Sequence, residues 1–150
     1  MTSQKIKLFS IGFTKSSAEF FFERLQKNGV RKVIDVRFNN VSQLSGFAKK
    51  NDLEYFLQAL AGIDYEHLEC LAPSKELFES YRKDRIDWPE YKKKYLALMK
   101  ERKAAKTLSA DSLDGACFLC SGVKPDHCHR SLIADFLQKE LKISADIKHL

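Results

Sequence analysis

Apolar positions along this chain follow two rhythms. Lys5 to Ile11 (KIKLFSI) alternates and then fills with apolar residues, which predicts a strand. Gly12 breaks it, and Ser16 or Ser17 is placed to cap a helix running to Asn28. Phe20, Phe21 and Leu25 give that helix an apolar face, and Gly29 sits where a C-terminal cap belongs. Val30 to Val36 is a second strand, so the unit reads strand, helix, strand with short loops, the signature of a parallel pair with a right-handed crossover. Residues 37 to 50 form a polar loop at the carboxyl end of that strand. Asn51 or Asp52 then caps a helix through Leu53, Phe56, Leu57 and Leu60, ended by Gly62.

Ile63 to Leu68 is a third strand, followed by a short helix around Leu77 to Tyr81. Trp88 to Lys106 is a longer helix with Pro89 in its first turn, where a missing N–H costs little. Ser109 to Gly115 reads as a turn, and Ala116 to Cys120 (ACFLC) as a buried central strand. A second polar loop, 121 to 128, leads into a helix from His129 to Leu141 with Leu132, Ile133, Phe136 and Leu137 on one face. Ile143 to Leu150 closes the pattern as a strand. The expected fold is a single α/β domain over residues 1 to 150: a mostly parallel central sheet of about five strands, flanked by helices.

Composition agrees with a globular domain. The chain has 150 residues, 44% hydrophobic and 31% charged, which excludes whole-chain disorder. No apolar run has the length a membrane helix needs, and the start (MTSQK) has no apolar core behind its charges, so a cytoplasmic protein without a membrane partner is expected. Lys and Arg number 26 against 20 Asp and Glu, a net charge of +6 that favours anionic partners. From Lys75 to Lys106 there are 11 basic and 6 acidic residues, and most of the excess lies in 92-KKKYLALMKERKAAK-106. That stretch is either a solvated helix face or a phosphate-binding stripe.

Open parallel sheets bind ligands outside the carboxyl ends of their strands. Three loops leave such ends: Gly12 to Ser17, Arg37 to Lys50, and Ser121 to His129. The strongest chemistry sits in the last, at 127-His-Cys-His-Arg-130, where a helix begins. Unpaired N–H groups and the positive dipole end welcome an anion there, and Arg130 adds a bidentate donor. A thiol in that field has a lowered pKa, which makes Cys128 a candidate nucleophile, with His127 or His129 to move protons. Alternatively Cys128 packs and Arg130 pairs with Asp135 or Glu140. Asp35 and Arg37 end the second strand, and an Asp there is costly unless paired or used. In the functional reading Arg37 faces the same anion as Arg130, and Asp35 orients a base or a ligand hydroxyl. Ser10 and Thr14 add hydroxyl donors.

Some chemistries fail on spacing. The position where a cysteine-phosphatase loop needs its Arg holds Ala134 counted from Cys128, and Asp126 counted from Cys120; a sulfurtransferase-type loop fails likewise. Cys117 and Cys120 lie three apart on a strand and face opposite sides, which argues against a zinc knuckle, so no metal site is expected. Cys120 and Cys128 remain a potential redox pair, although an even number of cysteines does not by itself imply disulfides. Phe20, Phe21, Phe22, Phe56 and Phe78 read as core, and Trp88, Tyr91 and Tyr95 as one packed helix face rather than a base-stacking platform.

The stretches 9-FSIGFTKSSAEFF-21, 33-VIDVR-37, 46-GFAKKNDLEYFL-57, 65-YEHLECLAPSKELFESYR-82, 88-WPEYKKKYL-96 and 118-FLCSGVKPDHCHRSLIADFL-137 together resemble the family called domain of unknown function number 488. The resemblance implies a single α/β domain and matches Gly12, Asp35, Arg37, Phe47, Lys49, Tyr65, Cys120, Cys128, His129 and Arg130 to the family pattern. It implies no reaction. Two departures stand out: Gly122 occupies a position usually acidic, and 42-SQLSGF-47 lacks the usual basic charges.

The reading that combines these lines is a phosphate-type ligand site, for a nucleotide or a nucleic acid. Arg37, Arg130, Lys49, Thr14 and Cys120 would bind, and Cys128, His129 and Asp35 would supply any chemistry. The alternatives are a non-catalytic nucleic-acid-binding module on the 92 to 106 helix, and a thiol redox or metal sensor. No cofactor is specified by these residues.

Overall fold

The computed structural model describes residues 5–12, 17–37, 50–83, 85–106, 108–120 and 129–150, and of Lys50, Asn51, Arg82, His129, Arg130 and Ser131 it describes the backbone alone. The strands are β1 (Lys5–Gly12), β2 (Lys32–Asp35), β3 (Asp64–His67), β4 (Ala116–Cys120) and β5 (Ser144–His149). They form one five-stranded sheet in the order β3-β2-β4-β1-β5, and every pairing is parallel. The mostly parallel expectation thus becomes wholly parallel among the described residues.

The helices are α1 (Ala18–Lys27), α2 (Lys50–Phe56, continuing as a π turn over Leu57–Ala61), α3 (Lys75–Arg82), α4 (Trp88–Arg102), α5 (Ala110–Leu113) and α6 (His129–Leu141). They cover both faces of the sheet, as parallel strands buried on two sides require. On one face Phe9, Ile11, Val33, Cys117 and Leu119 pack under α1 and α2, through Phe21, Phe22, Leu25, Leu53 and Leu57. On the other, Ile6, Leu8, Ile34, Ala116 and Phe118 pack under α4 and α6, through Tyr91, Tyr95, Met99, Leu132, Ile133, Phe136 and Leu137. The alternation of strand side chains therefore separates two cores, and all of β4 is buried.

Local chemistry explains the boundaries. Ser17 caps α1 by accepting the Phe20 N–H at 3.2 Å. Asp87 caps α4 through the Glu90 N–H at 2.9 Å, with Pro89 in the first turn. Helix α4 ends at Arg102 because Lys103 turns left-handed, at φ 54°, four residues short of the expected end at Lys106. Helix α2 begins at Lys50, so Asn51 and Asp52 lie inside it and do not cap it. The expected turn at 109 to 115 holds the short α5, closed by a reciprocal Ser109–Ser112 capping box.

Phe20 is the clearest correction to the expected core. Three consecutive Phe span too wide an arc of a helix to face one way. Phe21 and Phe22 point inward, while Phe20 is 56% exposed under the guanidinium of Arg24, 4.5 Å from its ring centroid.

Candidate functional site at the carboxyl edge of the sheet

The chain leaves β4 toward the face opposite to the one it takes after both neighbouring strands. Strand β4 lies between β1 and β2. The connections after β1 and β2 lead to α1 and α2 on one face, whereas the connection after β4 leads to α6 on the other. This divergence opens the crevice in which doubly wound sheets hold ligands. Gly12 pairs with Cys120 and Asp35 with Leu119, so the three strands end level.

Asp35 and Arg37 form the best-defined part of this edge. The Asp35 side chain is wholly buried and that of Arg37 is 3% exposed. Arg37 Nε donates to Oδ1 of Asp35 at 2.8 Å, and Nη2 donates to Oδ2 at 2.7 Å. The Arg37 backbone N–H adds a bond to Oδ1 at 3.1 Å, and the Tyr65 O–H donates to Oδ2 at 2.6 Å. Each carboxylate oxygen thus accepts two bonds. Tyr65 reaches Asp35 from the adjacent β3, where it pairs in register with Val33. Two residues further along β3, on the same face, His67 lies with Nε2 3.3 Å from the Arg37 carbonyl oxygen.

A second group faces the α6 side. Alternation places Ser10 on the face of Ile6 and Leu8, and Cys120 on the face of Phe118. Ser10 is buried, and its Oγ shares a hydrogen bond with Nδ1 of His149, at the end of β5. The Leu150 N–H closes this corner onto the Ser10 carbonyl at 2.7 Å. Cys120 is disulfide-bonded, whereas Cys117, buried, and Cys70, half-buried, form no disulfide. Burial pushes the Cys70 thiol up, which leaves it protonated. The cysteine count alone did not imply an oxidised Cys120.

Of the residues singled out in the sequence, Asp35 and Arg37 are in contact with each other, and Cys120 ends the neighbouring strand on the opposite face. His129 and Arg130 are the first two residues of α6. Thr14, Lys49, His127 and Cys128 lie outside the described residues. No cluster of three or more His, Cys, Asp or Glu able to hold a metal occurs among the described residues. Two residues went unnoticed in the sequence. His67 carries a signal, its i+2 spacing from Tyr65 on one strand. His149 carries none, because its partner Ser10 lies 139 positions away.

No curated protein and no solved structure matches the chain at a significant level. The family model described as Domain of unknown function DUF488 matches residues 17–137, from the cap of α1 to the last buried turn of α6. That span holds three of the five strands and the Asp35–Arg37–Tyr65 cluster, and the chain belongs to this family.

Proposed function

We propose that this protein binds a phosphate-type anion, a nucleotide or the end of a nucleic acid, at the carboxyl edge of the sheet. The observation that carries the reading is the buried Asp35–Arg37 pair beside the point where the chain diverges around β4. A buried ion pair loses solvation on both partners, and fixed orientation at a site is one reason for a fold to keep it. Asp35 accepts four bonds and so serves as an orienting carboxylate rather than a proton acceptor. The pair is neutral overall. Attraction for an anion therefore comes from the first-turn amides of α6 and from Arg130. Lys49 and Thr14 supply further donors, and His129, or Cys128 when it is reduced, supplies any reactive group.

The oxidised state of Cys120 supports a second reading, a thiol redox device at the same edge. In that case reduction changes ligand binding. A nucleic-acid-binding module on α4 is the third, supported by the exposed Lys92, Lys93, Lys100 and Lys103.

The test is fluorescence anisotropy with labelled RNA and DNA oligonucleotides and a labelled nucleotide, across a salt series, with and without thiol blocking. Arg130→Ala is expected to abolish binding with its thermal unfolding unchanged. A variant that binds every probe like the parent overturns the site. Binding that falls steeply with salt, survives both Arg130→Ala and thiol blocking, and is lost on Lys93→Ala with Lys100→Ala assigns the ligand to α4.

A further inference from the structure

Among the described residues, the large apolar side chains left exposed are Phe20 (56%), Tyr55 (68%) and Leu60 (58%). All three lie on the helix pair α1 and α2, on the face away from α4 and α6. Between these helices runs a groove of about 400 Å³, floored by Phe22, Phe56 and Leu60 and walled by Glu19, Glu23 and Gln26. Phe22 and Phe56 meet edge to face, with centroids 6.2 Å apart, and Tyr55 extends the aromatic wall from Phe56 at 5.8 Å. The groove is braced: Gln26 Nε2 on α1 donates to the Leu60 carbonyl at 2.9 Å. Leu60 itself stands on the π turn, a distortion frequent at functional positions.

We infer that this groove docks a basic amphipathic helical segment of a partner protein. Its apolar residues would fill the space over Phe22, Phe56 and Leu60, and its Lys or Arg side chains would meet Glu19 and Glu23. Charge selects this occupant. The chain carries +6 overall, yet the polar wall of the groove presents two carboxylates one helical turn apart. Among the described residues Glu23 pairs with the solvated Lys27, at 3.9 Å, a contact that a closer cation can displace.

Shape agrees with a helix. Phe22 and Gln26 form one ridge and Phe56 and Leu60 another, each at i, i+4 spacing, and the groove between such ridges seats a third helix. Helix α1 is ten residues long, roughly 15 Å, enough for about three turns of a partner. A small ligand between Phe22 and Phe56 would leave the Tyr55 ring in water. A second copy of this chain is a poor occupant, because the basic helix α4 already buries its apolar face (Tyr91, Tyr95 and Met99) in the core.

The test uses the full chain and a leucine–lysine amphipathic helical peptide as probe, with a leucine–glutamate peptide of the same apolar pattern as control. The lysine peptide is expected to bind, and to shift the amide resonances of Ala18–Gln26 and Phe56–Leu60. Leu60→Asp, and separately Glu19→Gln with Glu23→Gln, are expected to weaken it about tenfold or more, with unchanged thermal unfolding because these side chains are exposed. Equal binding of the glutamate peptide, or undiminished binding to both variants, overturns the proposal. So does a wild-type dimer by sedimentation that Leu60→Asp converts to monomer, which would give the groove to a second copy.

Discussion

The guanidinium of Arg37 lies flat against the carboxylate of Asp35, two residues earlier in the chain, and both are sealed from solvent. The pair locks the backbone at the end of β2. The Asp35 side chain accepts the Arg37 backbone N–H, while its own carbonyl accepts the Leu68 N–H at 3.0 Å from the neighbouring strand. One aspartate thus holds the end of β2 as far as Arg37 and ties it to β3.

Breaking that pair from one side is expected to be severe. Asp35→Ala leaves a buried guanidinium without its carboxylate and should cost about 3–5 kcal/mol of stability, read from urea unfolding. Replacing both partners, Asp35→Leu with Arg37→Met, should return most of that loss. If the double variant is as unstable as Asp35→Ala, the burial penalty of the orphaned charge is not the cause.

The tyrosines on the buried face of α4 set an alkaline limit. Burial raises the ionisation of Tyr91 and Tyr95 above the usual tyrosine value of 10.0, with Tyr81 adding to the rise at Tyr91 and Tyr91 to that at Tyr95. A folded-state pKa above the unfolded one means that the native state holds its proton longer. The stability contributed is complete below pH 10 and is lost as pH climbs from there toward the folded value. Urea midpoints are expected to be flat from pH 8 to 9.5 and to fall above 10. Tyr91→Phe should fall less steeply, and an unchanged slope would exclude Tyr91 as a contributor.

The basic residues of α4 divide by role. Arg102 Nη1 donates to the carbonyls of Glu69, Cys70 and Ala72 at 3.3, 3.2 and 2.7 Å, stapling the 3₁₀ turn at Glu69–Leu71 onto the helix. Arg102→Ala should cost about 1.5–3 kcal/mol in thermal or urea unfolding, the scale of bonds to a charged group. Lys93→Ala should leave stability within about 0.5 kcal/mol. Equal effects in the two variants would contradict this division.

Gly115 supports the turn into β4 at φ +82°. An added Cβ would lie 3.2 Å from Cβ of Arg31, whose guanidinium caps the same turn through the Asp114 carbonyl at 2.8 Å. Gly115→Ala is therefore expected to destabilise by more than about 1 kcal/mol, from the left-handed backbone and the contact together. A calorimetric midpoint equal to that of the parent would show that the turn relaxes freely.

Much of the fold is legible along the chain. Strands β1, β2 and β4 stand out because each is a short, largely apolar run bounded by Gly or polar residues, and Ser17, Gly29, Gly62 and Pro89 mark helix ends by their own chemistry. The strand order is not legible, because no local pattern shows that β4 enters between β1 and β2. Phe20 misleads because helical phase, not hydrophobicity, decides which of three consecutive Phe is buried. At the site, Asp35 and Arg37 announce themselves by position, an acid and a base ending an apolar strand. The saturation of Asp35 depends on Tyr65, thirty residues on, and the Ser10–His149 contact joins distant parts of the chain. Such contacts appear only once the sheet is assembled.

The insertion of β4 has a consequence for synthesis. Leu8 of β1 and Lys32 of β2 both take Ala116 as their partner and have no register with each other. A ribosome that has made only the first hundred residues therefore carries two strands that cannot zip together. They must wait for residues 116–120, so the central sheet closes late and through distant contacts, which slows folding. The unpaired edges of β1 and β2 stay open in the meantime, and an interrupted chain is exposed to aggregation where a finished one is not.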